Sequence, residues 1–306
     1  MSPATAVGLP AAFLSRIRAY PSLPSHTWYY LTLITLSVCN KPEFIAPLLS
    51  HAFTHSAIPG SADAAYVKEE RAWLARNPGQ LGKVDGEGRE SALRILRRCR
   101  EGLVKSGAIG GLPKAINSLY HLRKCHDPHL LDPLPTNSSI SPSTLHPLSS
   151  AYPTLRPNSI PSTYLDTQEL GIGFPQSAPP SPTLSNVNPT LPFLNRGRGF
   201  FNTLYGPQNA PKVRINLQKS SPDLQILATW VYALILSEST VLSPKETSFT
   251  LIAALIPQDV NAQLKPHLQG AVNNGATTEE VEAVRGMLIE LCTELGVGWK
   301  GEVAKL

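Results

Sequence analysis

The chain contains 306 residues, room for one large domain or two of ordinary size, and its 42% hydrophobic content is sufficient for a substantial core. The net charge of +5 comes from scattered basic residues without interleaved aromatic side chains, which argues against a nucleic-acid partner. The densest basic run, Arg97, Arg98 and Arg100, is interpreted as the solvated face of a helix. No apolar run is long enough to cross a bilayer, so no membrane span is expected.

Four cysteines, Cys39, Cys99, Cys125 and Cys292, are widely spaced and form no C-x-x-C pair. The N-terminus lacks the basic and apolar regions of a secretory signal peptide. Both features indicate a soluble intracellular protein whose thiols are reduced.

Helical patterns follow one another through the first half of the chain. Residues 1–26 are rich in Pro and Ser around a short amphipathic piece. The nearly all-apolar segment 27–40 suits a buried helix capped by Thr27, with a β-strand as the alternative. Further helices are predicted over residues 42–55, 61–76, 86–106 and 114–123, with a glycine-rich break over residues 107–113.

Residues 128–195 differ in composition from the rest of the chain. They hold 14 of the 29 prolines but only four charged residues, whereas a flexible linker normally carries more charge. Apolar side chains recur every few residues. We interpret the segment as an extended, polyproline-like arm that packs on the helical body or on a neighbouring subunit, with simple disorder as the alternative.

The clearest helix signals lie after the arm. Helical structure is predicted to resume near Gly197 and to include the apolar stretch 224–236. The sequence SPKE at 243–246 is a capping box, in which Ser caps the helix, Pro takes the first helical position and Glu reaches back to a free amide.

Two more helices follow residues 243–256. Asp259 or Asn261 is predicted to begin the first of them, and Gly275 to end it. The sequence TTEE at 277–280 is a second capping box and opens the last helix. These signals, with those of the first half, predict an all-α protein.

One histidine, His267, lies among apolar residues in the first of these two helices. Pro266 directly before it removes a helical hydrogen bond. Since imidazole titrates near neutral pH, His267 is a candidate general acid or base, and a buried structural histidine is the alternative. The apolar residues expected on its helical face are Val260, Leu264, Leu268 and Ala271.

The segments LSPKETSFTLIAAL (242–255) and QLKPHLQGAVNNGATTEEVEAV (263–284) resemble the carboxymuconolactone decarboxylase and alkyl hydroperoxidase D family. They combine a helix, a histidine, a glycine turn and a cap in the register of that family. In the first half, WYYLTLITLSVCNKPEFIAPLLSHAF is similar to the helix pair that ends in the family's histidine. GAIGGLPKAINSL resembles the helix that follows it.

The resemblance implies two diverged helical units of this family, fused as a pseudo-dimer within one chain. The units would be residues 27–127 and 196–303, joined by the Pro- and Ser-rich arm at 128–195, with an N-terminal extension at 1–26. Family members are all-α, build their sites at helix junctions and form oligomers. A small-molecule substrate and a homo-oligomer are therefore expected, with no cofactor and no metal.

The peroxidase branch of that family uses a glutamate, a C-x-x-C pair and a histidine, of which only the histidine remains here, as His267. Val260 and Gln263 occupy the cysteine positions, and Ser248 occupies the glutamate position. His51 matches the histidine in the first half. The resemblance implies His267 as the catalytic residue and Ser248, Gln263 and His51 as binding residues, without dithiol chemistry at these positions.

Three functions are open. The first is an enzyme, a lyase or an oxidoreductase, in which His267 transfers a proton on a small carbonyl- or peroxide-containing molecule. The second is a non-catalytic helical scaffold or ligand-binding protein that kept the fold. The third is redox chemistry by other thiols, such as Cys39 or Cys292. The sequence HLRKCHDPH (121–129) has metal-ligand character but matches no zinc spacing.

The sequence ends in Ala304, Lys305 and Leu306, a close variant of the S-K-L peroxisomal address. We predict that a peroxisomal import receptor binds this tripeptide and that the protein resides in the peroxisomal matrix. A chance tripeptide is the alternative.

Overall fold

The computed structural model describes residues 9–54, 92–125, 191–239 and 241–306. In these ranges all regular secondary structure is helical, which confirms the predicted all-α class. The predicted helix at 61–76 and residues 128–190 of the arm lie outside the described residues. The eleven α-helices of the described ranges are α1 (Ala11–Arg18), α2 (Trp28–Val38), α3 (Ile45–Phe53), α4 (Ala92–Gly110), α5 (Leu112–Lys124), α6 (Leu191–Tyr205), α7 (Ala210–Ser220), α8 (Pro222–Trp230), α9 (Pro244–Leu255), α10 (Asn261–Asn273) and α11 (Thr278–Glu294).

The chain forms two compact units, one made of residues 1–136 with 241–306 and the other of residues 137–240. The first holds α1–α5 and α9–α11, and the second holds α6–α8. These bounds differ from those of the two units inferred by resemblance, because α9 packs on α2 and α4 of the first half. The pseudo-dimer and the origin of both halves from one ancestral unit stay predictions.

Helix α2 lies at the centre of the first unit. All eleven of its residues are buried, as its nearly all-apolar sequence predicts. It contacts α3, α4, α5, α9 and α11. Thr27 precedes the helix as predicted, but its hydroxyl donates to the carbonyl of Pro24 at 2.6 Å and makes no cap bond. None of the helices in the described ranges is long and apolar enough to cross a membrane.

The predicted glycine-rich break at 107–113 is shorter than expected, because α4 continues to Gly110 and only Gly111 interrupts the helices, with φ at 108°. The preceding glycines serve close packing instead. A Cβ at Gly110 would lie 2.5 Å from a methyl of Val38, and a Cβ at Gly107 would lie 2.9 Å from that of Ala115. Larger side chains would therefore push α4 away from its neighbours.

Both predicted capping boxes are confirmed. The Ser243 hydroxyl accepts from the amide of Glu246, whose carboxylate accepts from the Ser243 amide at 2.9 Å. Thr277 and Glu280 make the same exchange at 3.1 and 3.0 Å. Of the two predicted starts for α10, the helix uses Asn261. Each box pairs free amides at a helix N-terminus and so defines where α9 and α11 begin.

Helix α4 carries buried charges, so the solvated face predicted for the basic run was wrong at Arg98. Arg98 is 3% exposed and pairs with Glu246 at 2.5 Å. Lys105 has no exposed surface, lies 3.6 Å from the Glu101 carboxylate and donates to the Thr247 hydroxyl at 2.8 Å. Because Glu246 and Thr247 both belong to α9, the charged side of α4 faces α9 and not solvent.

Helical structure resumes earlier after the arm than predicted. Helix α6 starts at Leu191 and not near Gly197, with Pro192 in its first turn, where proline is well accommodated. Helix α7 was not predicted. The apolar stretch predicted over 224–236 forms α8 and a π-helical turn, Val231–Leu236, which packs closely on α6.

Candidate functional site

His267 lies in α10 and is 4% exposed. Its predicted face is confirmed for Leu264, Leu268 and Ala271, which are all buried. Val260 is the exception, since it precedes the helix and is 36% exposed. The reason is the left-handed backbone before it, with φ of 57° at Asp259, which turns the chain into α10.

Burial lowers the pKa of His267 to about 4. At neutral pH the imidazole is therefore uncharged, since the interior disfavours the imidazolium form. An uncharged imidazole can accept a proton but is a poor general acid. Of the two catalytic roles expected from the sequence, this environment favours that of a base.

Ser248 and Gln263, the predicted binding residues of α9 and α10, have different surroundings. Ser248 is buried, donates to the carbonyl of Pro244 at 3.1 Å and accepts from the Asn274 amide at 3.0 Å. These bonds connect α9 to the end of α10. Gln263 is exposed to solvent, whereas His267 in the same helix points into the core. The role of both residues in binding stays a prediction.

His51 is half-buried in α3, a helix that packs on α2, α4 and α5. Its ring meets the ring of Trp28 edge-on, with centroids 5.7 Å apart. His267, in contrast, belongs to α10, which packs on α9 and α11. The two histidines thus belong to different groups of helices within the first unit.

Acidification is expected to destabilise the protein through His267. The imidazole has a pKa near 6.5 when unfolded and about 4 when folded. Between these values the unfolded chain binds a proton that the folded chain does not. Stability is therefore complete above about pH 6.5 and falls with pH by up to about 3 kcal/mol. Chemical denaturation of wild type and His267→Gln between about pH 7 and pH 4 measures this loss. Parallel pH profiles for the two proteins would contradict it.

A pair of thiols forms a second candidate site in the first unit. Cys39 follows the last residue of α2, and Cys292 belongs to α11. Both are free thiols, and each one shifts the pKa of the other, where α2 packs on α11. Cys39 is half-buried, whereas Cys292 has no exposed surface.

Positive charge surrounds the more accessible thiol. The Lys114 ammonium donates to the carbonyl of Val38 at 2.7 Å, next to Cys39, and Lys41 follows two residues later. The hydrogen bond with Cys292 holds the pKa of Cys39 below its ordinary value; burial opposes this, and the charges of Lys114 and Lys41 reinforce it. The C-terminal end of a helix would by itself disfavour a thiolate, so the lysines and the second thiol decide the sign.

The pKa of the buried thiol, Cys292, is shifted in the opposite direction. Its hydrogen bond with Cys39, and then burial, raise the pKa of Cys292 well above its ordinary value. A negative charge shared by the pair therefore resides on Cys39. The arrangement provides a stabilised thiolate next to a protonated thiol, the two groups that dithiol–disulfide chemistry requires.

The sequence named Cys39 and Cys292 only as alternatives and did not identify Lys114. The one local signal was Cys39 close to Lys41. No local pattern connects Cys39 with Cys292, since they lie at opposite ends of the chain and meet only because α2 packs on α11.

The other two cysteines have different surroundings. Cys99 is buried in the core, and the Cys125 thiol donates to the carbonyl of His121 at 3.0 Å. Within the described ranges, no group of three or more His, Cys, Asp or Glu side chains could hold a metal ion. His126 and His129 of the same sequence run lie outside those ranges.

Two relatives resemble the chain over almost their full length. Peroxisomal protein 2 of Saccharomyces cerevisiae is 31% identical over 306 residues, which cover 94% of each chain. Peroxisomal protein 2 of Schizosaccharomyces pombe is 37% identical over 284 residues, 92% of this chain and 93% of the relative. The chain belongs to the peroxisomal protein 2 family.

Membership of the peroxisomal protein 2 family confirms the predicted peroxisomal location. The similarity covers more than nine-tenths of the chain, so it includes residues of both compact units. No established family profile matches the chain, and no solved structure matches it. The resemblance to carboxymuconolactone decarboxylases therefore stays a prediction.

Proposed function

We propose that this peroxisomal protein is a thiol-dependent oxidoreductase, in which Cys39 reacts with a hydroperoxide and Cys292 closes a disulfide. The observation that carries the proposal is that α2 packs on α11 and brings the two thiols together, beside the ammonium of Lys114. Such chemistry needs a stabilised thiolate and a second thiol within reach. The pair would replace the C-x-x-C dithiol of the peroxidase branch with two cysteines from distant parts of the sequence.

The proposed reaction has two steps. The Cys39 thiolate attacks the outer oxygen of the hydroperoxide and the O–O bond breaks. The inner oxygen takes a proton from solvent and leaves as an alcohol, so Cys39 becomes a sulfenic acid. The Cys292 thiol then forms the S–S bond, and the sulfenic OH leaves as water with the thiol proton. An external dithiol returns two electrons and two protons to reopen the disulfide.

The difference in solvent exposure indicates which of the two cysteines reacts first with the hydroperoxide. Cys39 is partly exposed, whereas Cys292 has no exposed surface. A small hydroperoxide therefore meets Cys39 first, and the buried thiol completes the reaction from inside the core. Closing the S–S bond of about 2.05 Å requires the two sulfur atoms to approach each other where α2 packs on α11.

Treating the reduced protein with tert-butyl hydroperoxide is expected to oxidise both thiols and to yield a Cys39–Cys292 disulfide, identified by peptide mass spectrometry. With dithiothreitol as the reductant, the protein should consume hydroperoxide continuously. Cys39→Ser should abolish consumption, because the attacking sulfur is gone. Cys292→Ser should stop at the sulfenic acid, which dimedone traps on Cys39.

Cys125→Ser is the matched control for these variants. The Cys125 thiol donates to a backbone carbonyl, a bond that a serine hydroxyl can also make, so this variant should react like wild type. If Cys39→Ser slowed oxidation no more than Cys125→Ser does, the assignment of Cys39 as the attacking residue would be refuted. A dimedone adduct on another cysteine would refute it as well.

Proton transfer by His267 is the second candidate function. The resemblance at residues 242–284 supports it, and so does the burial that keeps the imidazole neutral and able to act as a base. Ser248, Gln263 and His51 remain the candidate binding residues. Turnover of lactones or β-keto acids by wild type but not by His267→Gln is the expected result. Equal turnover by both would exclude this role, and no turnover in any assay would favour the scaffold or ligand-binding alternative.

We also propose that residues 304–306 are read by a peroxisomal import receptor. The Ala304 amide donates to Asn261 at 2.7 Å, and its carbonyl accepts from Arg285 at 2.6 Å. Lys305 and Leu306, in contrast, are exposed to solvent, as a receptor for a carboxyl-terminal tripeptide requires. An N-terminal fluorescent fusion that stays punctate after deletion of residues 304–306 would overturn this role.

Self-association is the remaining proposal about partners. Leu112, Ile116 and Tyr120 recur every four residues along α5, and each is more than half exposed. Residues at this spacing share one helix face, so α5 presents an apolar stripe to solvent. A second copy of the chain that covers this stripe would remove its apolar side chains from solvent. Such self-association agrees with the oligomers that the resemblance implies. Sedimentation velocity of the purified protein tests this, and a monomer at all concentrations would refute it.

A further inference from the structure

The second compact unit contains a cleft lined by charged and polar side chains. It encloses about 400 Å³ of space, part of it open to solvent. Helices α6, α7 and α8 and the π-helical turn all contribute to its wall. π-helical turns are frequent at functional sites. The charged and polar residues of its lining are Arg198, Arg214, Gln225, Thr229 and Tyr232.

Two arginines, Arg198 and Arg214, line this cleft. Arg214 lies over the ring of Phe201, 4.9 Å from its centre, and donates to the side chain of Asn202. No carboxylate of residues 191–239 or of the other described ranges forms an ion pair with it. Burial, and then the charge of nearby Arg198, hold the pKa of Arg214 below its ordinary value. Two guanidinium groups that repel each other are a favourable place for an anion.

A buried hydrogen-bond acceptor lines the same cleft. Gln225 is 5% exposed, and its side-chain nitrogen donates to the Thr229 hydroxyl at 3.1 Å. Thr229 in turn donates to the carbonyl of Gln225 at 2.9 Å. The side-chain oxygen of Gln225 is buried and accepts no bond from the described residues. Buried acceptors are almost always paired, so this oxygen is suited to a donor on a ligand.

We propose that this cleft binds an oxyanion that itself carries an O–H group, such as hydrogen phosphate or an α-hydroxycarboxylate. Arg214 and Arg198 would neutralise the charge, and the Gln225 oxygen would accept the O–H. The Tyr232 hydroxyl, which shares a hydrogen bond with that of Tyr205 at 3.3 Å, is a further donor at the wall. This binding does not depend on the thiol chemistry proposed above, because all of its residues belong to the second unit.

The test is a titration of the full-length, ¹⁵N-labelled protein with phosphate, sulfate and lactate at low ionic strength. The arginine side-chain N–H signals are monitored. Phosphate and sulfate have similar size, but only phosphate carries an O–H at neutral pH. We expect saturable shifts of the Arg214 signal with phosphate or lactate and clearly weaker binding of sulfate. Tighter binding of phosphate or of lactate then shows whether the ligand is a phosphate or an α-hydroxycarboxylate.

Two variants separate the two parts of the proposal. Arg214→Gln should weaken binding of the preferred anion by about ten- to a hundredfold, as expected for the loss of a charged hydrogen-bonding partner. Gln225→Met, of similar length and without an acceptor, should abolish the preference for phosphate over sulfate. Lys212→Gln removes the same charge from an exposed position of α7 and should bind like wild type.

Three results would overturn the proposal. The first is the absence of saturable shifts with phosphate and with lactate. The second is equal weakening by Arg214→Gln and Lys212→Gln, since that would reflect only the overall charge of α7. The third is a preference for phosphate over sulfate that persists in Gln225→Met. Unchanged amide spectra outside the cleft verify that each variant is folded.

Discussion

Replacing Lys105 by alanine is expected to lower the free energy of unfolding by about 3–5 kcal/mol, the loss typical of removing one partner from a buried ion pair. Lys105 has no exposed surface, and its ammonium lies 3.6 Å from the Glu101 carboxylate and 2.8 Å from the Thr247 hydroxyl. The variant takes away the positive charge and leaves a cavity between α4 and α9. Urea denaturation of wild type and variant measures the loss.

The surface pair between Arg16 and Glu290 is the control for this effect. It has a shorter separation of 2.5 Å, yet the side chain of Arg16 is 60% exposed. Arg16→Ala should therefore cost only about 0–1 kcal/mol. The double variant Lys105→Met with Glu101→Leu should recover much of the stability, because it removes both charges and refills the space. If Lys105→Ala and Arg16→Ala lowered the free energy of unfolding by similar amounts, burial of the ion pair would not explain the loss of stability.

The second large effect is expected at Gly197, in the other compact unit. A Cβ at this position would lie 2.5 Å from the Cα and 2.6 Å from the nitrogen of Ala233, in the π-helical turn. A backbone cannot rotate away as a side chain can, so α6 and the turn would have to separate. Gly197→Ala is expected to destabilise this unit by about 1–3 kcal/mol, the usual range for overpacking, or more. Faster hydrogen exchange of amides 191–239 measures it.

Gly199, two residues further along α6, provides a matched control. A Cβ there meets no atom within 4 Å. Gly199→Ala should therefore stabilise the helix by about 0.5–1 kcal/mol, through the lower conformational entropy of the unfolded chain. The same substitution in the same helix thus has opposite expected signs. Equal exchange rates in the two variants would show that α6 does not contact the π-helical turn as described.

Local signals in the sequence predicted the helix boundaries well where a side chain satisfies a free amide. Ser243 with Glu246, and Thr277 with Glu280, are each three residues apart, so the whole motif is visible in a short window. The glycines at 107–110 led to a wrong helix boundary, because their role depends on residues elsewhere in the chain. Their small size serves contact with Val38 and Ala115, and contact partners are invisible in a local window.

The features of the candidate sites also fall into two groups, those set by local sequence and those set by helix packing. Burial of His267 followed from its apolar neighbours at helical spacing, which are local. The exposure of Gln263 and the bonds of Ser248 to Pro244 and Asn274 depended on how α9 and α10 pack, and no spacing rule describes that. Arg98 was misassigned because its partner, Glu246, lies far along the chain in another helix.

The sequence by itself determined the all-α class, the caps of α9 and α11 and the burial of α2 and of His267, and it predicted the peroxisomal location that the relatives confirm. All of these depend on residues within a turn or two of one another, or on a short linear signal. Only the tertiary structure decided that Cys39 meets Cys292 beside Lys114, that Lys105 is enclosed between α4 and α9, and that Arg214 and Gln225 line one cleft. The first two depend on helices distant in sequence, whose contacts arise from burial of their apolar faces in the core of the first unit. The third depends on how the neighbouring helices of the second unit pack on one another.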